Sequence, residues 1–282
     1  MDPALPRRCH DTLEPVAAAI FAAPELQEQL TAAGLDRGRM CAYAGRIAPL
    51  GPVGAGVVTA TFYSASPELV ARFFPRAWTL ADPADVIAAQ RRAVDVLLRR
   101  VLGPEIIESA ELAELAKLVR TAAESGRPEG RPMYAAYAEL DWPAEPHVAL
   151  WHATFLLREH RGDGHVAALV DAELSGLGAV ITHAGAGTGY TPDLLRRVRG
   201  WTEQQWAAGV SDLHGNGIVD DTGALTPTGT ALRTRVETAT DRLAATPWAA
   251  LGTDRTERLL ALAAAVRAVV LAAGVLPPGL YG

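Results

Sequence analysis

Helix-start signals recur along this chain and constrain its fold more than any other feature. Ser66 and Asp82 are residue types that cap helix N-termini, and each is followed by a proline, which suits the first helical position. Thr202 and Gln205 have the spacing of a capping box. The segment after Asp82 carries an apolar stripe of helical periodicity, formed by Val86, Ala89, Ala93, Val94 and Leu97. The sequence therefore predicts a mainly α fold.

The C-terminal half has the order of elements of a winged helix-turn-helix. Helices are predicted over "TPDLLRRVRG", "WTEQQWAAGVSDLHGNG" and "TPTGTALRTRVETATDRLAA", and "GIVDDTGALTPTG" is predicted to form two short strands around a "DDTG" turn. The expected fold is mainly α and multi-helical, with a winged helix-turn-helix element and a small β-hairpin wing in this half. The turn "GRPEGRP" (126–132) predicts a break between an N-terminal helical domain, 1–125, and a C-terminal winged-helix-like domain, 133–282.

Charge and hydropathy indicate which partners to expect. The 282 residues have a formal net charge of −6, which argues against a strongly basic nucleic-acid-binding protein. The N-terminal "MDPALPRRCHDTLEP" lacks the apolar core of a signal peptide, and the long apolar run "LLALAAAVRAVVLAAG" contains an arginine. We expect a cytoplasmic protein without a membrane partner.

Neither the cysteines nor the glycines predict a metal or nucleotide site. Cys9 and Cys41 do not form a Cys-x-x-Cys pair, and no P-loop is present. The stretch "GAGTGY" (185–190) lacks the preceding strand that a dinucleotide site requires. The cofactor is therefore left unknown.

Four stretches carry a family resemblance: "GRIAPLGPVGAGVVTATFY" (45–63), "LLREHRGDGHVAAL" (156–169), "RGWTEQQW" (199–206) and "PWAALG" (247–252). With them the chain resembles a little-characterised actinobacterial, MarR-like winged-helix family that carries the LREHRGDGH motif. The expected wing region is similar to that of MarR-type regulators. The resemblance covers nearly the full length and implies an all-helical protein with a winged-helix element.

The stretch "LREHRGDGH" (157–165) is the strongest candidate site. We expect a helix that ends at Gly162, a tight turn, and a new helix capped by Asp163. Imidazoles and carboxylates suit acid–base catalysis, which makes His160, His165 and Glu159 candidate catalytic residues. An anion could bind at the start of the second helix, and the candidate ligand-binding residues there are Arg158, Arg161 and Asp163.

Two other interpretations of this stretch stay open. The first is a metal site for an ion of unknown identity, with His152, His160 and His165 as its ligands. His160 and His165 do not, however, have the i, i+4 spacing of a helical metal-binding pair. The other is structural. Ion pairs among the charged side chains would then clamp two helices together, and His165 would bond a neighbouring carbonyl group.

The stretch 45–64 is a second candidate. Its glycines and prolines let the backbone approach a ligand closely. Arg46 and Thr61 would bind the ligand through hydrogen bonds, and Tyr63 would act with the catalytic groups. The alternative is tight helix packing through small residues, with Tyr63 as a half-buried core aromatic.

The predicted DNA-reading helix has unfavourable charge. No lysine or arginine occurs between Trp201 and His214, while Glu203 and Asp212 are negative and the wing tip is Asp220-Asp221. Phosphate contacts need cations, so nucleic acid is not the expected partner.

These observations lead to one main functional hypothesis. The protein is expected to bind a small apolar or anionic molecule as an enzyme of specialised metabolism, on a winged-helix scaffold that no longer reads DNA. Acid–base histidines would line an apolar cavity between the two halves. The alternative is a MarR-like, ligand-responsive transcriptional regulator that binds DNA as a dimer, and a third hypothesis is a catalytically silent binding protein. Whether the chain is an enzyme and whether it forms a homodimer are left open.

Overall fold

The computed structural model describes residues 2–187 and 191–277, so the end of "GAGTGY" (188–190) lies outside the described residues. The α-helices are α1 (Leu5–Ala22), α2 (Pro24–Ala32), α3 (Arg39–Ile47), α4 (Ala55–Phe62), α5 (Pro67–Ala71), α6 (Ala77–Leu80), α7 (Pro83–Ile107), α8 (Ala110–Ala123), α9 (Pro132–Ala138), α10 (Pro146–Asp171), α11 (Gly176–Gly185), α12 (Pro192–Arg199), α13 (Glu203–Gly215), α14 (Pro227–Leu243), α15 (Thr246–Leu251) and α16 (Thr253–Ala272). A short 3₁₀ helix, Ala48–Leu50, follows α3. The mainly α prediction is confirmed.

The predicted helix starts are present. The Asp82 side chain accepts a hydrogen bond from the amide of Ala84 at the start of α7. Thr202 and Gln205 form the complete capping box of α13. Ser66 precedes α5, but its side chain makes no capping hydrogen bond. The five apolar residues predicted as the buried stripe of α7 are all buried.

The predicted β-hairpin wing is wrong. The described residues contain no strand, and the segment between α13 and α14 has one isolated antiparallel bridge, Val219 with Leu225. Two backbone hydrogen bonds flank it, from Asp220 to Ala224 and from Thr226 to Ile218.

Neighbouring side chains explain why the pairing stops after one bridge. The Asp220 carboxylate accepts hydrogen bonds from the amides of Thr222 and Ala224, which closes the chain into a tight turn. On the other side, the Thr226 hydroxyl accepts a hydrogen bond from the amide of Gly229 and caps α14. The residues that would lengthen the strands therefore belong to a turn and a helix start.

The stretch "LREHRGDGH" also differs from expectation, because α10 runs without a break from Pro146 to Asp171. The predicted helix end at Gly162 and the cap at Asp163 are wrong. A glycine inside a helix costs about 1 kcal/mol, which is less than burying one large apolar side chain contributes. Nearly every residue from 147 to 163 is buried, so packing keeps the helix intact.

Contacts within the chain define two compact units. The first comprises Met1–Pro52, Ala77–Asp163 and Asp241–Gly282, and the second comprises Val53–Arg76 and Gly164–Thr240, as far as these residues are described. Each unit contains residues from both expected domains, 1–125 and 133–282. The helices α10 and α14 each contribute residues to both units.

The core of the first unit is built around α1, α7, α10 and α16. Helix α1 packs on α16, α2 packs on α7 and α3, and α8 packs on α15 and α16. From α10, Trp151 stacks on Phe155 with ring centroids 5.0 Å apart, and the Trp151 indole donates a hydrogen bond to Ala17 of α1. In the second unit, α4 packs on α5, and α11 packs on both α12 and α13.

Within the described residues, no single helix is both long and apolar enough to cross a membrane, although α10 and α11 pass the same length and composition test when taken together.

Gly229 marks a close backbone approach in the second unit. A Cβ atom at this buried position would lie 2.0 Å from the Ile218 carbonyl oxygen, so we expect Gly229→Ala to lower the free energy of unfolding by about 2 kcal/mol. Gly215→Ala is the control, because a Cβ there meets no atom within 4 Å and alanine favours a helix. Urea unfolding of both variants measures the effect, and equal stabilities would contradict it.

Candidate functional site

A buried carboxylate is the centre of the polar cluster in the first unit. Glu159 of α10 is 1 % exposed, and its two oxygens accept hydrogen bonds from Arg46 of α3 at 2.9 and 2.8 Å. Arg158 donates to the same carboxylate at 2.9 Å and to Glu14 of α1 at 3.0 Å. Burial opposes ionisation of Glu159, but the two guanidinium groups outweigh it and lower the pKa of this carboxyl. Both oxygens of Glu159 already accept hydrogen bonds from arginines, and this favours the structural interpretation, in which ion pairs hold helices together.

Asp163 caps a neighbouring helix and does not begin its own. Its carboxylate accepts a 3.0 Å hydrogen bond from the amide of Tyr134, the third residue of α9. Burial raises the pKa of Asp163 to about 6, although the Tyr134 amide partly offsets this. The N-cap residue of α9, Arg131, provides no side-chain cap of its own.

The buried histidines of α10 are poor proton carriers near neutral pH. Burial lowers the pKa of His152 to about 4 and that of His160 to about 3. The His152 ring meets Trp142 edge-on at 4.8 Å, and the His160 ring meets Tyr134 edge-on at 5.1 Å. Both imidazoles therefore stay neutral and pack as aromatic core groups.

The three candidate metal ligands do not form a cluster. Residues 152 and 160 are separated by about 12 Å along the helix, at 1.5 Å per residue. Among the described residues, no group of three or more His, Cys, Asp or Glu side chains is placed to hold a metal ion.

The remaining candidate residues have partners of their own. Arg161 pairs with Asp241 at 2.7 Å in the first unit. In the second unit the Tyr63 hydroxyl donates to the Leu174 carbonyl, and Thr61 donates to Val57 one turn back in its helix. The ring of His165 bonds the Thr240 hydroxyl at 2.9 Å. The structure thus joins Arg46, Arg158 and Glu159, and the catalytic and ligand-binding roles expected of all these residues stay predictions.

A small cavity of the first unit adjoins the stretch "LREHRGDGH". It has a volume of about 20 Å³, and its polar lining includes Glu14, Thr154 and His160. This space is large enough for one water molecule. The Nε2 atom of His160 is buried and has no hydrogen-bond partner among the described residues, which makes it a candidate to bind such a water.

The second unit contains a helix-turn-helix. Helix α12 ends at Arg199, Gly200 takes the left-handed conformation with φ 78°, and Trp201 leads to the capping residue Thr202 before α13. A turn of three residues with a glycine is typical of this motif. No residue of α13 is fully buried, so the helix keeps a solvent-facing surface.

The segment Val53–Arg76 is fastened to this turn. The Trp201 indole donates to the Ser64 carbonyl at 3.0 Å, and the Ser66 amide donates to the Arg199 carbonyl at 2.8 Å. A Cβ atom at Gly200 would lie 2.6 Å from Leu69, which shows how closely α5 approaches the turn. This segment therefore fixes the position of the motif within the second unit.

A family model described as a helix-turn-helix family matches residues 6–277. The chain belongs to this helix-turn-helix family. No curated protein and no solved structure matches it. Because the match covers residues of both units, the family pattern extends well beyond the α12–α13 motif.

One of the four carboxylates counted against DNA binding has a cationic partner in the helix-turn-helix of this family member. Glu203 accepts a hydrogen bond from Arg196 at 3.1 Å, and the Asp220 carboxylate is held by the turn before α14. Asp212 and Asp221 remain exposed. Glu203 is therefore paired with a cation, whereas Asp220 keeps its negative charge, because its partners are neutral amides and a hydroxyl.

Sequence reasoning missed the residues that support the helix-turn-helix, namely Ser64, Ser66, Glu68 and Leu69. They lie about 130 residues before the turn that they contact, and no periodicity links segments so far apart. The only signal was the unusual stretch ending in "TFYS", which the sequence analysis assigned to a ligand cavity.

Removing the charge of Glu159 should destabilise the first unit strongly. Glu159→Gln leaves Arg46 and Arg158 facing a neutral amide in a buried site, and we expect a loss of about 3 kcal/mol in the free energy of unfolding. The control is Glu129→Gln, an exposed residue. A loss below 1 kcal/mol in urea unfolding would show that the cluster is not the clamp described here.

The raised pKa of Asp163 predicts a pH dependence of stability. A carboxyl with a folded pKa of about 6 and an ordinary value of 3.8 favours the folded state below pH 4, and this contribution is lost as the pH rises through 6. Asp163→Asn removes the buried charge and keeps an acceptor for Tyr134. We expect the variant to be more stable than the wild type by about 3 kcal/mol above pH 6 and equal to it below pH 4.

Urea unfolding at several pH values tests this expectation. The matched control is Asp221→Asn, because Asp221 is exposed. A difference between the wild type and Asp163→Asn that does not change between pH 4 and pH 7 would contradict it.

Proposed function

We propose that this protein is a ligand-responsive transcriptional regulator that reads duplex DNA with α13 and binds it as a dimer. The observation that carries the proposal is the solvent-facing side of α13, the second helix of the helix-turn-helix. Gln204, Ala207, Ala208 and Ser211 are exposed and follow i, i+3, i+4, i+7 spacing, which places them on one helix face.

The chemistry of this face suits base edges in the major groove. A glutamine amide pairs with adenine, a serine hydroxyl bonds either kind of base edge, and alanine methyl groups contact the methyl group of thymine. Small neutral side chains also let the helix approach the groove closely. The capping box at Thr202 orients the first turn of the helix, which is the part that contacts bases in helix-turn-helix proteins.

The enzyme hypothesis has less support. It depended on acid–base histidines, and His160 is held neutral by burial while His165 has the Thr240 hydroxyl as a partner. In the first unit, the candidate carboxylate of Glu159 is already occupied by Arg46 and Arg158.

The MarR-like character and the actinobacterial origin rest on the sequence resemblance. The cytoplasmic location rests on the lack of an apolar signal core in the N-terminal sequence, and an effector that is a small apolar or anionic molecule rests on the polar residues of the stretches 45–64 and 157–165. A dimer would place two copies of α13 about one DNA turn apart, roughly 34–36 Å, on an inverted repeat.

Selection from a randomised duplex library tests the proposal. We expect the wild type to enrich one inverted repeat, and Gln204→Ala to lose preference at one base position by about 1–3 kcal/mol. Thr253→Ala, at an exposed position of the first unit, should retain the wild-type preference. A library from which no sequence is enriched at physiological salt would contradict the proposed function.

A further inference from the structure

Helix α13, the proposed recognition helix, contains no lysine or arginine, so any affinity for DNA needs phosphate contacts from elsewhere. Phosphate contacts supply much of the affinity of such proteins, whereas base contacts supply the sequence preference. On the preceding helix α12, Arg196 is engaged by Glu203 and Asp193. Arg197 is exposed, and its guanidinium donates to the backbone carbonyl of Asp193. Arg199, the third arginine of α12, is half-buried. One exposed arginine on this helix is few for a helix-turn-helix.

The segment Val53–Arg76 supplies a second arginine. Its helix α5 contacts the motif at two successive residues. Glu68 accepts a hydrogen bond at 3.1 Å from the side chain of Gln205, in the first turn of α13, and Leu69 packs on Gly200. These contacts fix which side of α5 faces the recognition helix.

Helical spacing assigns Arg72 to that same side of α5. It lies four residues after Glu68 and three after Leu69, and its backbone is still helical with φ −71° and ψ −23°. Residues at these spacings are neighbours on a helix surface, so Arg72 is placed beside the first turn of α13. The residue is exposed and forms no ion pair with any described residue.

We propose that Val53–Arg76 is part of the DNA-binding surface and that Arg72 contacts a backbone phosphate next to the first turn of α13. This inference rests on the proposed function and adds a contact that the helix-turn-helix sequence itself does not contain. The partner is duplex DNA, recognised at this point by charge and not by base sequence. An unpaired guanidinium is suited to this role because it binds phosphate in a bidentate manner and remains charged at any physiological pH.

The test is the salt dependence of binding to the duplex enriched by the wild type. Each phosphate contact contributes about 0.9 to the slope of log affinity against log salt. We expect Arg72→Ala to reduce that slope by about 1, to weaken binding about 3- to 10-fold at low salt, and to weaken binding to unrelated duplexes by the same factor. Arg72→Glu should reduce the slope further and weaken binding to both kinds of duplex further.

Two controls separate this contact from other effects. Arg255→Ala removes an equally exposed arginine from the first unit and should leave affinity and slope unchanged. Gln204→Ala should change base preference while the slope stays at the wild-type value. Because Arg72 is exposed and unpaired, thermal unfolding of Arg72→Ala should match the wild type, so a loss of binding will not reflect a loss of folding.

The outcomes distinguish the two proposals. If the wild type selects a sequence and Arg72→Ala matches Arg255→Ala in affinity and slope, the inference about Arg72 is overturned and the proposed function stands. If Arg72→Ala changes base preference without changing the slope, the phosphate contact is likewise overturned. If the wild type selects no duplex, the proposed function fails first and the contact fails with it.

Discussion

The buried carboxylate of Glu159 is the interaction on which the first unit depends. Moving a carboxylate out of water costs several kcal/mol, and only well-placed opposite charges offset that cost. Arg46 and Arg158 meet this requirement, and Arg158 also reaches Glu14. Three helices that are far apart in sequence, α1, α3 and α10, are thereby held in one arrangement, because any displacement would leave a buried charge unpaired. Much of the polar chemistry of "LREHRGDGH" thus maintains the fold.

Local signals predicted the helices well and failed where distant contacts decide. The cap at Asp82 and the capping box at Thr202 involve residues two or three apart, so the sequence contains everything needed. The helix end expected at Gly162 was wrong, because glycine is a weak signal against a helix whose surroundings are buried. The predicted wing was wrong because of local hydrogen bonds. The Asp220 side chain closes a tight turn and the Thr226 side chain caps α14, so only one β-bridge forms between them.

The candidate site shows the same limit. Counting charges along α13 treats each carboxylate as free, yet Glu203 is held by Arg196 from the preceding helix. Counting cations within the motif likewise misses α5, because Glu68 and Leu69 contact the turn from a segment about 130 residues earlier. Net charge alone is therefore a poor guide to the partners of a chain, since a partner meets the local arrangement of paired and unpaired groups.

On the proposed function, the small neutral face of α13 has a physical consequence for how the protein works. Few base contacts mean that each one carries a large part of the discrimination, while the phosphate contacts set how long the protein stays on any duplex. If those phosphate contacts come from a segment fastened to the turn by a few hydrogen bonds, a shift of that segment alters affinity without touching the base-reading side chains. On the proposed function, a displacement at Ser64, Ser66 or Glu68 would change the position of the turn and of Arg72 together, because these residues connect the segment to the turn.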